Sequence, residues 1–380
     1  MSNWYSEDFK VGVLGGGQLG RMLIQEAINY DIKLCTMDKD SKAPCSKISY
    51  EFTNKDILDY EAVIEFGKDK AVITVEIENV NIEALEMLEK RGKKVFPQPA
   101  VLRIVRDKGV QKDFFKTHNL PTAPYFLVND KAEISQYKNQ FPFMQKMRVG
   151  GYDGRGVQAI KSEVDLDKAF DAPSVLEKFV DFEKEISVIV ARNEKGETAH
   201  FPVVECEFNP EVNLVEFLFA PAQISEAIEE DAIAIARRTI EALDMVGLLA
   251  VEMFVTKDGR VLINEIAPRP HNSGHHTIEC NVTSQYEQHL RAILNLPLGS
   301  TKILRPGVMV NLLGEPNYEG KVYYEGIEEA MKIPGVKAHI YGKSETKPYR
   351  KMGHITATAP LLQEAIDKAR QVQQLVKVKA

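Results

Sequence analysis

The sequence predicts an α/β unit built on a parallel sheet, followed by a larger α+β unit and a small C-terminal unit. Three observations carry this. Over the first hundred residues, short β-branched runs alternate with stretches of helical period, the signature of βαβ units. Beyond about residue 101 the alternation gives way to helices mixed with antiparallel signals, including a hairpin over residues 251–266 around Lys257-Asp258-Gly259-Arg260. The chain has 380 residues, which at ~150 per domain divides into roughly two to three domains. The expected boundaries are 1–100, 101–300 and 301–380.

In the first unit, residues 11–14 read as a strand. They run into Gly15-Gly16-Gly17-Gln18-Leu19-Gly20 and then into Arg21-Met22-Leu23-Ile24-Gln25-Glu26-Ala27, whose apolar spacing is helical. Residues 33–38 and 71–77 read as further strands. Two prolines in Phe96-Pro97-Gln98-Pro99 stop any regular element and mark the boundary. In the third unit, residues 308–313 are strand-like and 361–376 helical.

Composition narrows the function. Apolar residues make up 44% and charged residues 27%, which supplies ample core and excludes intrinsic disorder. A net charge of −7 gives no surface-wide attraction for nucleic acid or anionic membrane. Bound phosphate must therefore meet a local cation cluster or backbone N–H groups. No apolar run approaches the ~18 residues of a membrane span, and a cytoplasmic protein is expected. Cys35, Cys45, Cys206 and Cys280 show no metal-ligand spacing and are expected to be buried thiols.

Gly15-x-Gly17-x-x-Gly20 lies between a strand and a helix, and Asp38 closes the next strand. This Rossmann-like layout suits a dinucleotide, another phosphorylated ligand, or simply a tight turn. A second glycine loop, Gly150-Gly151-Tyr152-Asp153-Gly154-Arg155-Gly156, follows Lys146, and its backbone N–H groups can close over phosphates.

The hairpin is the sharpest signal. If Asp258-Gly259 form a two-residue turn, Lys257 faces Arg260 and Glu252 stands opposite Glu265 on one face. Like charges in so apolar a hairpin call for a cation, and an all-oxygen pair suits Mg²⁺ with substrate phosphates. Asn264 points away in that register and joins the site only through a bulge. Next comes Ala267-Pro268-Arg269-Pro270-His271-Asn272-Ser273-Gly274-His275-His276, a donor-rich loop fit for handling anions. Glu76 and Glu78 lie at the carboxyl end of a strand, where open α/β sheets bind ligands. Lys343 and Arg350 flank a polar stretch near the C-terminus.

Together these motifs resemble the ATP-grasp superfamily. Within it, Gly15 to Gly20, the 150–156 loop, Asn264 to His275 and Arg350-Lys351-Met352-Gly353-His354 resemble the N5-carboxyaminoimidazole ribonucleotide synthetase family, in order from about residue 11 to 354. The resemblance implies an ATP-grasp fold with a Rossmann-like N-terminal domain and a small C-terminal domain. It also implies an ADP-forming ligase of purine biosynthesis that uses ATP, bicarbonate and 5-aminoimidazole ribonucleotide (AIR) through carboxyphosphate. By motif position it assigns Lys108, Lys146, Gly151, Tyr152, Asp153, Gly154, Arg155, Gly156, Glu177, Lys178, Phe179, Val180, Glu185, Asn264 and Glu265 to ATP. Glu252 and Glu265 would hold Mg²⁺, and Arg269, His271 and Asn272 would act on carboxyphosphate. Gln18, Glu76, Tyr152, Asp153, Arg155, Lys343 and Arg350 would bind AIR, the last two at its 5′-phosphate. A homodimer and a separate carboxymutase for the next step are also implied. Position 108 carries Lys where the family pattern has Arg, and Phe208 stands where relatives often have His. A nicotinamide-dependent oxidoreductase would explain the first glycine loop and Asp38 but gives the hairpin carboxylates no purpose. A non-catalytic nucleotide scaffold would predict a broken metal site, and both carboxylates are present.

Overall fold

The computed structural model describes residues 3–151, 156–209 and 214–380. Its N-terminal part is a five-stranded parallel sheet with Lys10–Leu14 at the centre, between Lys33–Met37 and Val72–Val75; Phe52–Thr53 and Lys94–Val95 form the edges. Helix Gln18–Asn29 buries Met22, Leu23, Ile24 and Ala27 on one face of the sheet. Helices Tyr60–Gly67 and Ile82–Lys90 bury Val63, Phe66, Leu85 and Leu88 on the other. Coverage on both faces is why these strands read as continuous apolar runs. The strand expected over 71–77 ends at Val75, because Glu76 turns out of the sheet toward the glycine loop.

The rest of the chain centres on a nine-stranded sheet. Its path runs Val261–Ala267, Gly247–Thr256, Phe182–Arg192, Val204–Asn209, Leu214–Ala220, Gly307–Leu313, Lys351–Thr358, Val336–Ile340, with Thr198–His200 beside Phe182–Arg192. Strands from the end of the chain thus extend the central sheet through Leu214–Ala220 and Gly307–Leu313. Helix Glu226–Ala242, capped by Ser225, packs Ala232, Ile235, Ala236 and Ile240 on Ile186, Val188, Val190, Val251 and Met253. Strand alternation then sends Glu185, Ser187 and Glu252 to the opposite face. A four-stranded antiparallel sheet, Tyr125–Val128, Ser174–Lys178, Phe143–Met147 and Val157–Ile160, stands over that face. It is tied down where the Thr122 hydroxyl donates to Ile263 O at 2.8 Å.

The hairpin turn differs from the two-residue form. Thr256 N donates to Arg260 O at 2.9 Å and Gly259 N to Thr256 O at 2.8 Å. The loop is therefore the three residues Lys257-Asp258-Gly259, with Gly259 at φ +81°. The resulting one-residue slip pairs Val255 with Val261 and Met253 with Ile263, and it ends at a bulge. Asn264 is the extra residue, and beyond it Glu252 again pairs with Glu265. Turn and bulge cancel, so the facing carboxylates arise as expected and Asn264 joins them. Among the described residues no helix is long and apolar enough to cross a membrane, and all four cysteines are free and buried.

Candidate active site

Glu252 and Glu265 occupy one rung of the hairpin, on the face that looks toward the smaller sheet. Lys108 Nζ lies 2.7 Å from Glu265 Oε2 and holds that carboxylate well below the usual range. Burial, reinforced by the charges of Glu265 and Glu185, pushes Glu252 the other way. The Lys108 ammonium is fixed by its helix: Asp107 caps Lys108–Thr117 at Gly109 N (2.8 Å) and grips Arg148 through two bonds of 2.8 and 2.7 Å. Two facing carboxylates with only hard oxygen donors, one still exposed to the cleft, fit Mg²⁺.

Lys146 reaches across from the smaller sheet. Its Nζ is 2.8 Å from Asn264 Oδ1 and 2.7 Å from Glu177 Oε2. Glu177, 4% exposed, takes Lys112 Nζ on its other oxygen at 2.7 Å. Burial alone would raise the Glu177 carboxyl, yet the two ammonium groups pull it down to about 2; burial lowers Lys112 to about 8. Sequence reasoning missed Lys112. The signal was there, since it follows Lys108 by four positions and so shares its helix face.

The other residues assigned to ATP are spread around this centre. The Glu177 carboxylate engages the two lysines. Lys178 turns to Gln140 O and lies over the Phe143 ring. Phe179 is exposed and Val180 half-buried just past the strand end. Glu185 lies along the sheet face and is pushed up to about 7 by burial, with Lys146 opposing. Gly151 and Gly156 border the second glycine loop, whose Tyr152, Asp153, Gly154 and Arg155 lie outside the described residues. Phe208 packs against the cluster of Cys206 and Leu218.

The donor-rich loop joins the two halves of the molecule. Arg269 Nε is 2.9 Å from Glu78 Oε1 of the N-terminal part. His271 Nε2 stands 3.7 Å from Glu252 Oε1, and its Nδ1 meets the Ser273 hydroxyl at 2.9 Å. Asn272 exchanges two amide bonds with Asn311, 2.9 and 3.0 Å, which fixes the loop on strand Gly307–Leu313. Asn311 was missed as well; a lone amide in the run Val308-Met309-Val310-Asn311-Leu312-Leu313 was its trace.

The first glycine loop seats a carboxylate. Glu76 accepts from Gly17 N and, at 2.5 Å, from Gly20 N, while Asp38 accepts from Gly16 N at 2.9 Å. A Cβ at Gly15 (φ +108°) would fall 2.3 Å from Glu76 Cγ, and one at Gly17 2.5 Å from Glu76 Oε1. The glycines make room for Glu76. The helix N-terminus that a dinucleotide's pyrophosphate would need is filled by this side chain, which removes the ground for a nicotinamide enzyme. Burial raises the Glu76 carboxyl, opposed by the two N–H donors. Beside it Gln18 Oε1 accepts from Lys343 Nζ at 2.7 Å. Lys343, Arg350, Lys42, Asp40 and Glu345 line a cavity of about 170 Å³. Lys42, also missed, adds a third cation there.

Three family models match successive stretches of the chain. The ribonucleotide synthetase preATP-grasp domain matches residues 9–106, the ATP-grasp domain 113–286, and the phosphoribosylaminoimidazole carboxylase C-terminal domain 307–368. N5-carboxyaminoimidazole ribonucleotide synthase of Bacillus subtilis is 38% identical over 91% of this chain and 90% of its own length. Phosphoribosylaminoimidazole carboxylase of Vigna aconitifolia is 40% identical over 91% of this chain, which spans 63% of that longer protein. The crystal structure of N5-carboxyaminoimidazole ribonucleotide synthetase from Thermotoga maritima superposes with a TM-score of 0.91 at 44% identity, covering 98% of this chain and 99% of that one. The Aspergillus clavatus synthase, in complex with ADP and AIR, superposes at 0.89 with 35% identity, covering 98% of each chain. Identity of 38% over 91% of this chain and 90% of the Bacillus subtilis synthase, with the close superposition on the Thermotoga maritima structure, means that the chain belongs to the N5-carboxyaminoimidazole ribonucleotide synthetase family of ATP-grasp ligases.

Proposed function

We infer that the chain is an ADP-forming ligase of purine biosynthesis that carboxylates the 5-amino group of AIR at the expense of ATP. The observation that carries this is the position of the 269–272 loop. Arg269 touches Glu78 next to the Glu76–Gln18–Lys343 cluster, while His271 lies against Glu252. One loop therefore borders both the phosphoryl-transfer centre and the ribonucleotide subsite.

The chemistry follows from that adjacency. A bicarbonate oxygen takes the γ-phosphoryl group of ATP, giving carboxyphosphate and ADP. Carboxyphosphate breaks into CO₂ and phosphate, and the AIR amine forms the N–C bond to CO₂ and gives up a proton. Phosphoryl transfer depends on positioning and charge neutralisation, which this chain supplies with fixed cations. Lys146, held between Asn264 and Glu177, is the fixed ammonium for the phosphates. Arg269, His271 and the Asn311-braced Asn272 offer donors to the carboxyphosphate oxygens. Glu252 and Glu265 would hold a magnesium ion, whose charge would offset that of the nucleotide phosphates. The cavity with Lys42, Lys343 and Arg350 suits the AIR 5′-phosphate, which the net-negative protein can hold only at such a cluster. Bicarbonate as the carbon source, a homodimer, a cytoplasmic location and a carboxymutase activity acting on the product complete the reading, supported by the family resemblance.

An ADP-release assay in which AIR and bicarbonate are each supplied or omitted tests it. ADP release is expected to need ATP and bicarbonate and to rise on adding AIR. Release indifferent to AIR at all concentrations would end the AIR assignment while leaving an ATP-grasp phosphotransferase.

A further inference from the structure

Three side chains from separate elements converge behind the 269–272 loop. Glu279 lies on the short helix Thr277–Cys280 that continues this loop. His339 lies on the edge strand Val336–Ile340 and pairs directly with His354 on Lys351–Thr358. One ligand atom from each residue falls within 4.8 Å of the other two. We infer that Glu279, His339 and His354 form a binding site for a zinc-class transition-metal ion, separate from the paired carboxylates of the reaction centre.

Two unsatisfied atoms point to a missing third body. Glu279 Oε2 and His354 Nε2 are buried without a hydrogen-bond partner, although Glu279 Oε1 already meets His339 Nε2 at 2.6 Å. Leaving such atoms unpaired is costly, and one ion between them would offset that cost. The His354 ring is set up as a ligand. Its Nδ1 faces the Tyr341 hydroxyl at 3.0 Å, the kind of outer hydrogen bond that orients metal-bound imidazoles, and this leaves Nε2 as the donor. Burial keeps the ring neutral, as ligation requires. His275 stacks on it with centroids at 4.7 Å, and His339 lies nearly parallel to it at 4.5 Å and 12°, so the His339 ring must turn for both imidazoles to face one ion.

Two imidazoles and a carboxylate match zinc better than magnesium. Tetrahedral bonds of ~2.0–2.1 Å set ligand atoms about 3.4 Å apart, so the 2.6 Å contact of Glu279 with His339 must open while the wider separations close. His339 can supply that movement because it lies on an edge strand and borders a cavity of about 280 Å³ with Arg21, Met22 and Gln25. The cavity meets the cluster at His339, which lines it. Bound there, the ion would tie the edge strand, the strand that follows Arg350 and the helix that follows the reactive loop into one unit. Its role is a cross-link and includes no step of the reaction.

The test is a Co²⁺ titration of the full chain after chelator treatment, read by visible absorption, which is strong for tetrahedral nitrogen-ligated cobalt and weak for octahedral oxygen sites. One equivalent of visible absorption is expected in the wild type and in Glu252→Gln, bleached by Zn²⁺ and absent from His339→Asn and Glu279→Gln. Melting curves in chelator establish that these two variants are folded, and either one suffices. No stoichiometric absorption in the wild type, or full absorption in a folded His339→Asn or Glu279→Gln protein, would overturn the site.

Discussion

Lys108 Nζ lies 2.7 Å from Glu265 Oε2, and this contact sets how the facing carboxylates divide their charge. Glu265 stays ionised beside the ammonium. Glu252, buried and facing that negative charge, is pushed up to about 8. An acid raised on folding makes the native state bind a proton that the unfolded chain releases. Stability is thus unaffected below the ordinary carboxylate range, falls as pH rises from there to about 8, and bears the full cost above it. In metal-free buffer at pH 8–9, Glu252→Gln should therefore melt above wild type, by an amount equivalent to roughly 1–3 kcal/mol, with the gap closing toward pH 5. A melting point that is unchanged or lower at pH 9 without metal would show that the two acids do not repel across the rung.

Glu265→Gln should behave differently, since it removes a metal-binding charge and also releases Lys108. Circular dichroism should be unchanged, while ADP formation falls by roughly a hundredfold or more even at high magnesium. Turnover within tenfold of wild type would remove Glu265 from the metal site.

Glu177 carries a structural burden besides the nucleotide contact proposed for it. Lys112 and Lys146 each lie 2.7 Å from it, and all three side chains are largely buried. Removing one partner of a buried ion pair costs about 3–5 kcal/mol because the remaining charge is left unpaired. Glu177→Gln, which leaves two lysines facing a neutral amide, is expected to lose stability of this order by urea unfolding and to weaken ATP binding as Lys146 loses its anchor. A variant as stable as wild type would mean that water or another group compensates the lysines.

Local pattern carried much of this molecule. The β-branched runs exposed the parallel sheet, and the spacing of Glu252 and Glu265 about a turn exposed their pairing. The turn itself was misread, because an Asp-Gly pair also fits a three-residue loop with glycine in the left-handed region, as Gly259 shows. Asn264 compensated, and its bulge was legible only as a polar residue facing the wrong way in a strand. What stayed hidden was tertiary. The glycine loop looks like a phosphate cradle until Glu76, 56 residues beyond Gly20, is seen on its N–H groups. The pairing of Phe219 with Val308 joins strands nearly ninety positions apart, and no short-range signal encodes it.

Arg350 offers the clearest discrimination between substrates. It borders the same cavity as Lys42 and Lys343, and Lys343 reaches Gln18 at the start of the N-terminal helix. These cations are on the side of Glu76, whereas Lys108 meets the hairpin carboxylate of Glu265 and Lys146 meets Asn264 and Glu177. A charge-assisted phosphate contact is worth roughly 1.5–3 kcal/mol, so Arg350→Ala should raise the KM for AIR about ten- to a hundredfold. The KM for ATP should stay within about twofold, because among the described residues no contact of Arg350 reaches Lys108, Lys146 or the hairpin carboxylates; its Nη1 donates instead to Glu345 O at 2.7 Å. Steady-state kinetics with each substrate varied in turn decide the matter. If the ATP dependence shifted and the AIR dependence did not, the cavity would belong to the nucleotide, and the 5′-phosphate would have to be sought elsewhere along the Gln18–Glu76 edge.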